Sequence, residues 1–567
     1  MASDRSSASP SLLPREGFNM AALLREKAVR MPHKHAVVVP AGRDWQGRAA
    51  YTHLTFAQLE RESDAYARGF EEIGIRRGTR TVLMVTPGLE FFILTFALFK
   101  VGAVVVLIDP GIGLKNLGLC LAEAQPEAFV GVTKAHVARV LFRWGADTIK
   151  TCVTVGRRLF WGGWKHTDLR RPSEQPFPIA MMPADEMGAI MFTSGSTGIS
   201  KGAVYTHSIL THQVHYIQEL YDFRTEDVDL ATFPLFALFD VCLGMTSVIP
   251  DMDATRPAQA DPVKLIEAIE DNGATVMFGS PALINTLSRY GEKHGRRIPT
   301  IRTVISCGAP ARNDVLQRLH KMLPEGTEIF TPYGATEALP VSSIGSREIL
   351  SETMHETARG GGTCVGRPVP HVTVRVIKIT DDPIPAWDDS LILPTGEVGE
   401  IVVKGPIVTR EYYRRPEATA LAKIRSADGQ EIWHRMGDVG RFDGQGRLWF
   451  CGRKAHRVTT PQGPLFTIPC EAIFNAHPRV FRTALVGLGA PGQQTPALCV
   501  ELEPGDDRHD LPGLRRELLA LGAQHPHTRA IQVILFYPGS FPVDVRHNAK
   551  INRELLATWA QTAVASR

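Results

Sequence analysis

Gly188-Ala189-Ile190-Met191-Phe192-Thr193-Ser194-Gly195-Ser196-Thr197-Gly198-Ile199-Ser200-Lys201-Gly202 decides the fold. Its first five residues are a short apolar run of the kind that forms a buried strand. The residues that follow interleave glycines with hydroxyls and close on a single lysine. Glycines let backbone N–H groups converge on an anion with no Cβ in the way, hydroxyls add donors, and a lysine supplies a compact mobile charge. The stretch reads as a phosphate-holding loop at the end of a strand, with the triphosphate of ATP as its occupant. It is not the Walker loop, which needs Gly, four residues and then Gly-Lys-Ser/Thr. A Ser/Gly-rich linker shares the composition, but a linker seldom follows a buried strand directly or ends on a lone lysine.

Outward from this loop, similar units recur. Thr81 to Val85, Ala128 to Val132, Thr275 to Gly279 and Thr303 to Cys307 are short β-rich runs, and Pro262 to Asn272 and Pro281 to Lys293 carry helical patterns between them. This alternation predicts α/β layers with mostly parallel sheets. From about residue 372 to 403 the pattern changes to strands and turns, which predicts a β-rich subdomain. After Gly452-Arg453 a helix-then-strand pattern marks a separate small unit. The expected class is α/β: a large N-terminal body of α/β layers with a β-rich subdomain, plus a small mobile C-terminal α+β domain. The divisions expected are a disordered tail over 1–18, a body over 19–453 and the small domain over 454–567. The nearest approach to a membrane span, Phe91 to Ile108, is interrupted by Lys100 and Gly102 and reads as a helix followed by a buried strand.

The chain's 567 residues exceed one ordinary core. A net charge of +4 is small for this size and gives no case for nucleic acid. Eight cysteines are scattered without a Cys-x-x-Cys pair, which speaks against a zinc knuckle or a disulfide framework and for a reducing cytoplasm. The first 18 residues have no apolar core for a secretion signal.

The ordered series of motifs resembles the adenylate-forming superfamily of acyl-CoA synthetases, luciferases and peptide-synthetase adenylation domains. Besides the loop at 193–202, it rests on Leu54-Thr55-Phe56, Asp109-Pro110, Gly308-Ala309-Pro310, Tyr333-Gly334-Ala335-Thr336-Glu337, Gly396-Glu397-Val398-Gly399-Glu400, Gly437-Asp438, Gly452-Arg453 and Lys550. The resemblance implies an enzyme in which a carboxylate attacks the α-phosphate of ATP to give acyl-AMP and pyrophosphate. It implies that Thr193, Ser194, Gly195, Ser196, Thr197, Gly198 and Lys201 hold the outer phosphates, that Glu337 serves Mg²⁺, and that Thr336 contacts the α-phosphate region. Tyr333 and Gly334 would lie on adenine, with the Gly308-Ala309-Pro310 backbone opposite. Asp438 and Arg453 would take the ribose hydroxyls, and Lys550 would be the adenylating lysine. Lys550, Lys201, Thr336 and Glu337 are thus the expected catalytic residues.

Three departures narrow the expectation. Ala237 stands where many acyl-CoA synthetases have a histidine, the hinge position is Ala455 where Asp or Lys is common, and the stretch 456–466 lacks the compact turn that lies beside the pantetheine path. With Phe541-Pro542-Val543-Asp544-Val545-Arg546-His547-Asn548-Ala549-Lys550, this combination resembles the β-lactone-forming branch of bacterial long-chain olefin biosynthesis. That resemblance implies ATP and Mg²⁺ without CoA, and a long-chain 2-alkyl-3-hydroxyalkanoic acid whose own 3-hydroxyl attacks the activated carbonyl. Asp240 is a candidate base for that hydroxyl, against a loop-capping role. Phe233, Phe236, Phe239, Phe278 and Gly279, with Leu283, are the expected acyl pocket. Arg139 to Arg171 is basic and tryptophan-rich, a surface for peripheral contact with an anionic membrane or for docking an acidic partner of the hydrocarbon pathway, against a solvated basic face. The competing readings are a long-chain acyl-CoA or acyl-AMP ligase and a non-catalytic nucleotide-binding regulator.

Overall fold

The computed structural model describes residues 17–192, 200–506, 508–543 and 551–565. Thr193, Ser194, Gly195, Ser196, Thr197, Gly198 and Lys550 lie outside the described residues. Phe18, assigned to the tail by composition, exchanges backbone hydrogen bonds with Met182.

Two large sheets carry the body. The first has seven strands in the order Trp164–Lys165, Thr151–Val155, Ala128–Val132, Arg80–Met84, Val104–Leu107, Met187–Phe192 and Gly202–Thr206. All pairs are parallel except the last. Val104-Val105-Val106 is buried, as a parallel strand covered on both faces demands. The phosphate-loop motif therefore sits between two antiparallel strands: Met187–Phe192 leads in and the wholly buried Gly202–Thr206 leads back. The chain then enters the helix His207–Tyr221, whose first turn is capped by Thr206 accepting from the Ile209 N–H.

The second sheet runs parallel from His35–Arg43 through Thr246–Val248, Val228–Ala231, Val276–Gly279, Thr303–Ser306 and Glu328–Ala335. It then continues, antiparallel, through Ala338–Gly345, Thr363–Pro368, Leu448–Arg453, Ile432–Phe442, Gly399–Lys404 and Thr373–Ile377. The β-rich segment expected as a subdomain is thus hydrogen-bonded into the parallel sheet as one continuous surface.

Helices between the sheets make the main core. Leu89–Lys100 is buried from Phe91 onward, and the strand Val104–Leu107 follows it, as expected. Lys100 ends that helix fully buried and is held by Asp64 at 2.6 Å and Glu60 at 2.8 Å. Among the described residues no helix is long and apolar enough to cross a membrane.

After residue 453 the chain packs three strands, Val480–Leu488, Thr495–Leu502 and Val533–Phe536, against the helices Thr467–Asn475, Leu511–Ala523 and Arg553–Ala565. Arg553, three residues after Lys550, is anchored on Glu471 at 2.8 Å. The helix Thr467–Asn475 abuts the strand Leu448–Arg453 so closely that a Cβ on Gly452 would lie 2.4 Å from Thr467 Oγ1.

Candidate active site

The strand ends and hairpins of both sheets meet around one cavity of about 1830 Å³. Its polar end is built by the antiparallel part of the second sheet. In the hairpin of Ile432–Phe442 with Leu448–Arg453, Asp438 and Arg453 are directly opposed, so residues fifteen apart in sequence become cross-strand partners. Arg453 Nη1 lies 3.0 Å from Asp438 Oδ1, and Tyr333 donates its hydroxyl to Asp438 Oδ2 at 2.6 Å. Burial raises the Asp438 carboxyl above its usual value, and the Arg453 charge works against that rise. The Tyr333 hydroxyl is pushed far up, first by burial and then by the Asp438 charge, so it stays a donor. The trio is fixed by its own contacts; Arg453 reaches the cavity lining, whereas Asp438 and Tyr333 lie just behind it, between the lining residues Gly437 and Gly334. Gly308 supplies the facing wall with φ at 100°, a left-handed conformation that glycine adopts without strain. Ala309 and Pro310 continue that turn away from the lining.

Glu337 and Lys201 mark the phosphate end. Tyr412 donates to Glu337 Oε1 at 2.5 Å, and its ring lies 5.1 Å beneath the Lys201 ammonium. The strand after Lys201 is tied to the same segment, with Tyr413 N–H donating to Gly202 O at 2.7 Å. Tyr205 donates to the Thr336 carbonyl, which holds Thr336 and Glu337 against the first sheet. Lys423, fully enclosed, donates to the Thr409 carbonyl and to its hydroxyl at 3.1 Å, and burial brings its ammonium down to about 7. His434 lines the cavity nearby, and burial together with Lys423 and Lys201 keeps its ring neutral.

Motif reading missed Tyr412, which lines the cavity, and Lys423, which lies behind the lining with its ammonium 5.8 Å from the Tyr412 ring. The only trace they leave in sequence is the dense run Arg410-Glu411-Tyr412-Tyr413-Arg414-Arg415 before Pro416. A lysine that closes a hydroxyl-rich stretch of sequence, with the Glu337 carboxylate at the same tyrosine, suits a polyphosphate and its counterion. Magnesium needs no all-protein cage, because one or two carboxylates plus phosphate oxygens suffice. Glu337 fits that role, with one of its oxygens held by Tyr412.

The apolar end is aromatic. Phe236 stacks on Phe278 with centroids 4.1 Å apart, Phe233 lies 6.1 Å from Phe278, and Phe239 meets Phe236 edge-on at 5.6 Å. All four line the cavity. Gly279 does not: a Cβ there would meet Leu283 and Ile284 of the next helix at 3.2 and 3.4 Å. Leu283 belongs to the core on the far side of the sheet, and Ala237 is buried without reaching the lining. These positions fall out because side chains alternate across a strand and rotate around a helix.

Asp240 is neither a base in the cavity nor a loop cap. It lies inside the helix Pro234–Leu243, 2 % exposed, accepting from Ser247 Oγ at 2.9 Å and paired with the buried Asp229. Ala455 occupies a short 3₁₀ turn, Lys454–His456, and lines the cavity. Beside it Lys454 and Arg435 reach the buried Glu400 at 2.9 and 2.7 Å, an ion cluster at the seam between body and small unit. The stretch 456–466 forms a tight antiparallel hairpin, Val458–Thr460 with Gly463–Leu465, clasped where Gln494 Oε1 accepts from Thr459 N at 2.8 Å.

A family model described as AMP-binding enzyme matches residues 24–413, a span that supplies most of this cavity's lining, the hairpin bearing Arg453 lying beyond it. The chain belongs to the AMP-binding enzyme family. It is 51% identical over 555 residues to the olefin beta-lactone synthetase of Stenotrophomonas maltophilia (strain K279a), covering 97% of this chain and 99% of that protein. The olefin beta-lactone synthetase of Xanthomonas campestris pv. campestris is 51% identical over 547 residues, covering 96% of this chain and 97% of that protein. Among solved structures, an amide bond synthetase from Marinactinospora thermotolerans superposes with a TM-score of 0.76 at 22% identity, covering 95% of this chain and 99% of that one. The two-part α/β architecture of this AMP-binding enzyme is thus that of adenylate-forming enzymes, as its motifs implied.

Proposed function

We propose that this enzyme adenylates a long-chain 2-alkyl-3-hydroxyalkanoic acid with ATP and closes the product to a β-lactone, releasing AMP and pyrophosphate, as a step in olefin biosynthesis. The observation that carries the reading is 51% identity over nearly the whole chain to two olefin beta-lactone synthetases. The cavity supports it. At about 1830 Å³ it exceeds the roughly 300–1,000 Å³ of an ordinary ligand pocket, and it joins the polar chamber to an aromatic one without a break.

In this reading Asp438 accepts from the ribose hydroxyls and Arg453 donates to the same sugar. Tyr333, pinned by Asp438, sets the adenine wall. Lys201, with Thr193, Ser194, Ser196 and Thr197, holds the outer phosphates, Glu337 is the carboxylate that would hold Mg²⁺, and Lys423 backs the Tyr412 ring from behind the lining. The ion, when bound, offsets the negative charge of the triphosphate. The substrate carboxylate oxygen attacks the α-phosphorus, the bond to the β-phosphate oxygen breaks, and pyrophosphate leaves. Lys550, carried by a small domain spanning 454–567 that turns at Ala455, orients the carboxylate and stabilises charge at the α-phosphate. The 3-hydroxyl oxygen then attacks the acyl carbon, AMP departs, and the hydroxyl proton passes to a base or to the departing phosphate oxygen. CoA has no part. In this reading the hairpin at 458–465, with its two prolines, would obstruct the path a pantetheine arm needs.

Product analysis by mass spectrometry tests this, with ATP, Mg²⁺ and a racemic 2-alkyl-3-hydroxy acid, with and without CoA. The β-lactone should form equally in both, with one AMP and one pyrophosphate each. A thioester that appears only with CoA would replace this reading with an acyl-CoA ligase. Lys550→Ala should slow acyl-AMP formation by about a thousandfold or more while ATP binding persists. Unchanged adenylation by that variant would remove Lys550 from the mechanism.

A further inference from the structure

The large apolar side chains that face solvent are not scattered evenly. They concentrate between residues 114 and 164, on elements at the outer edge of the seven-stranded sheet: Leu141 is 71 % exposed, Phe160 79 %, Phe142 47 % and Trp164 45 %. Elsewhere such residues occur mostly singly, as on any soluble surface. The elements that carry them are adjacent. Trp161 stacks on His136 of the helix Thr133–Leu141, Thr133 donates to the Arg157 carbonyl, and Trp144 lies against Gly118 of the helix Leu114–Ala124.

The same stretch is strongly basic. Residues 133–165 hold Lys134, Arg139, Arg143, Lys150, Arg157, Arg158 and Lys165 against Asp147 alone. Among the described residues none of these cations forms an ion pair. Arg170 and Arg171, just beyond, are matched by Glu62 and Glu72. An apolar surface ringed by uncompensated cations complements an anionic lipid surface, where the apolar side chains enter the acyl boundary and the cations meet phosphates.

One feature of the cavity joins this patch to the chemistry. The helix Thr133–Leu141 is a partition: Ala135 and Ala138 on its inner side line the continuous cavity, on the side of Phe192, whereas Val137, Val140 and Leu141 on its outer side face solvent. Leu114, beside it, lines the cavity and is also 54 % exposed, so the cavity reaches the surface here. We infer that this patch seats on an anionic bilayer and that the long-chain acid enters the cavity directly from the lipid, past Leu114 and the helix Thr133–Leu141. The inference rests on the substrate being a water-insoluble acid, as proposed above.

Vesicles supply the test. The intact protein is sedimented with phosphatidylcholine vesicles, with and without phosphatidylglycerol, and compared with Arg143→Glu/Arg157→Glu and Leu141→Ser/Phe160→Ser. Turnover is measured both on a long-chain hydroxy acid dissolved in the vesicles and on a short-chain, water-soluble one. The wild type should bind anionic vesicles at least tenfold more tightly than neutral ones. Each double variant should lose at least tenfold in binding and in turnover of the vesicle-borne acid, with turnover of the soluble acid unchanged. Equal binding to neutral and anionic vesicles, variants that bind and turn over as the wild type does, or retention only by an acidic protein would each overturn the inference. If neither acid gives lactone while vesicle binding follows the expected pattern, the reaction assignment fails and the docking surface stands.

Discussion

At the scale of single residues, the site is held by polar contacts that its own side chains make with one another. Asp438 is the pivot, since it accepts from Tyr333 and pairs with Arg453 while 4 % exposed. Removing it strands a guanidinium and a hydroxyl, and breaking such a pair from one side costs more than the pair itself contributes. Asp438→Ala should therefore lower unfolding stability by about 2 kcal/mol and raise the KM for ATP at least about tenfold. Tyr333→Phe removes one hydrogen bond and leaves the ion pair, so about 1 kcal/mol and a small change in KM are expected. Urea denaturation and steady-state kinetics on both variants check this, and an unaltered KM in Asp438→Ala would detach Asp438 from the nucleotide. Asp438, Arg453, Tyr333 and Glu337 were legible because each sits in a short motif. Tyr412 and Lys423 were not. Tyr412 bonds to Glu337 from 75 residues away, and no local pattern encodes a contact made by tertiary folding.

At the scale of elements, runs such as Val104 to Leu107 and helices such as Pro262–Asn272 were readable because burial on both faces, or on one stripe, writes itself into the periodicity. Pairing was less readable. That Gly202–Thr206 returns antiparallel to Met187–Phe192, and that the β-rich segment extends the parallel sheet, depends on partners chosen across long distances. Asp240 shows the same limit, because its partner Asp229 lies on a neighbouring strand. The two buried carboxyls hydrogen-bond each other, while Ser247 and the Phe278 N–H donate to them. Burial raises Asp229 to about 7 and, with the Asp229 charge, takes Asp240 well above the usual carboxylate range. The native state thus keeps protons that the unfolded chain releases near 3.8, so this contribution to stability is whole below that pH and is lost as pH rises through about 7. Asp240→Asn, which imitates the protonated carboxyl, should leave the melting temperature nearly unchanged near pH 3.5 and raise it near pH 8.5. A variant that melts lower than wild type at both values would show that the pair does not carry this proton.

At the scale of the whole molecule, one cavity serves two chemical steps. The polar chamber of the second sheet and the phenylalanine cluster around Phe236 open into each other, and the chain leaves the body beside the seam where Lys454 and Arg435 hold Glu400. Such an arrangement favours an internal nucleophile, since a hydroxyl two carbons from the activated carbonyl is held within reach by the same walls that hold the chains, whereas water and CoA must enter from outside. A matched 2-alkyl acid without the 3-hydroxyl should then be adenylated once and go no further. It should release about one pyrophosphate per enzyme in a burst and leave acyl-AMP bound, because no internal attack can free the site. Rapid-quench measurement of pyrophosphate against enzyme concentration reads this directly, and the true substrate run alongside should turn over without a plateau. Adding CoA should not release the block. Steady turnover of the deoxy acid to a thioester would mean that the cavity admits an external thiol and that the hairpin at 458–465 leaves its path open, whereas a burst that persists with CoA ties the second step to the substrate's own hydroxyl.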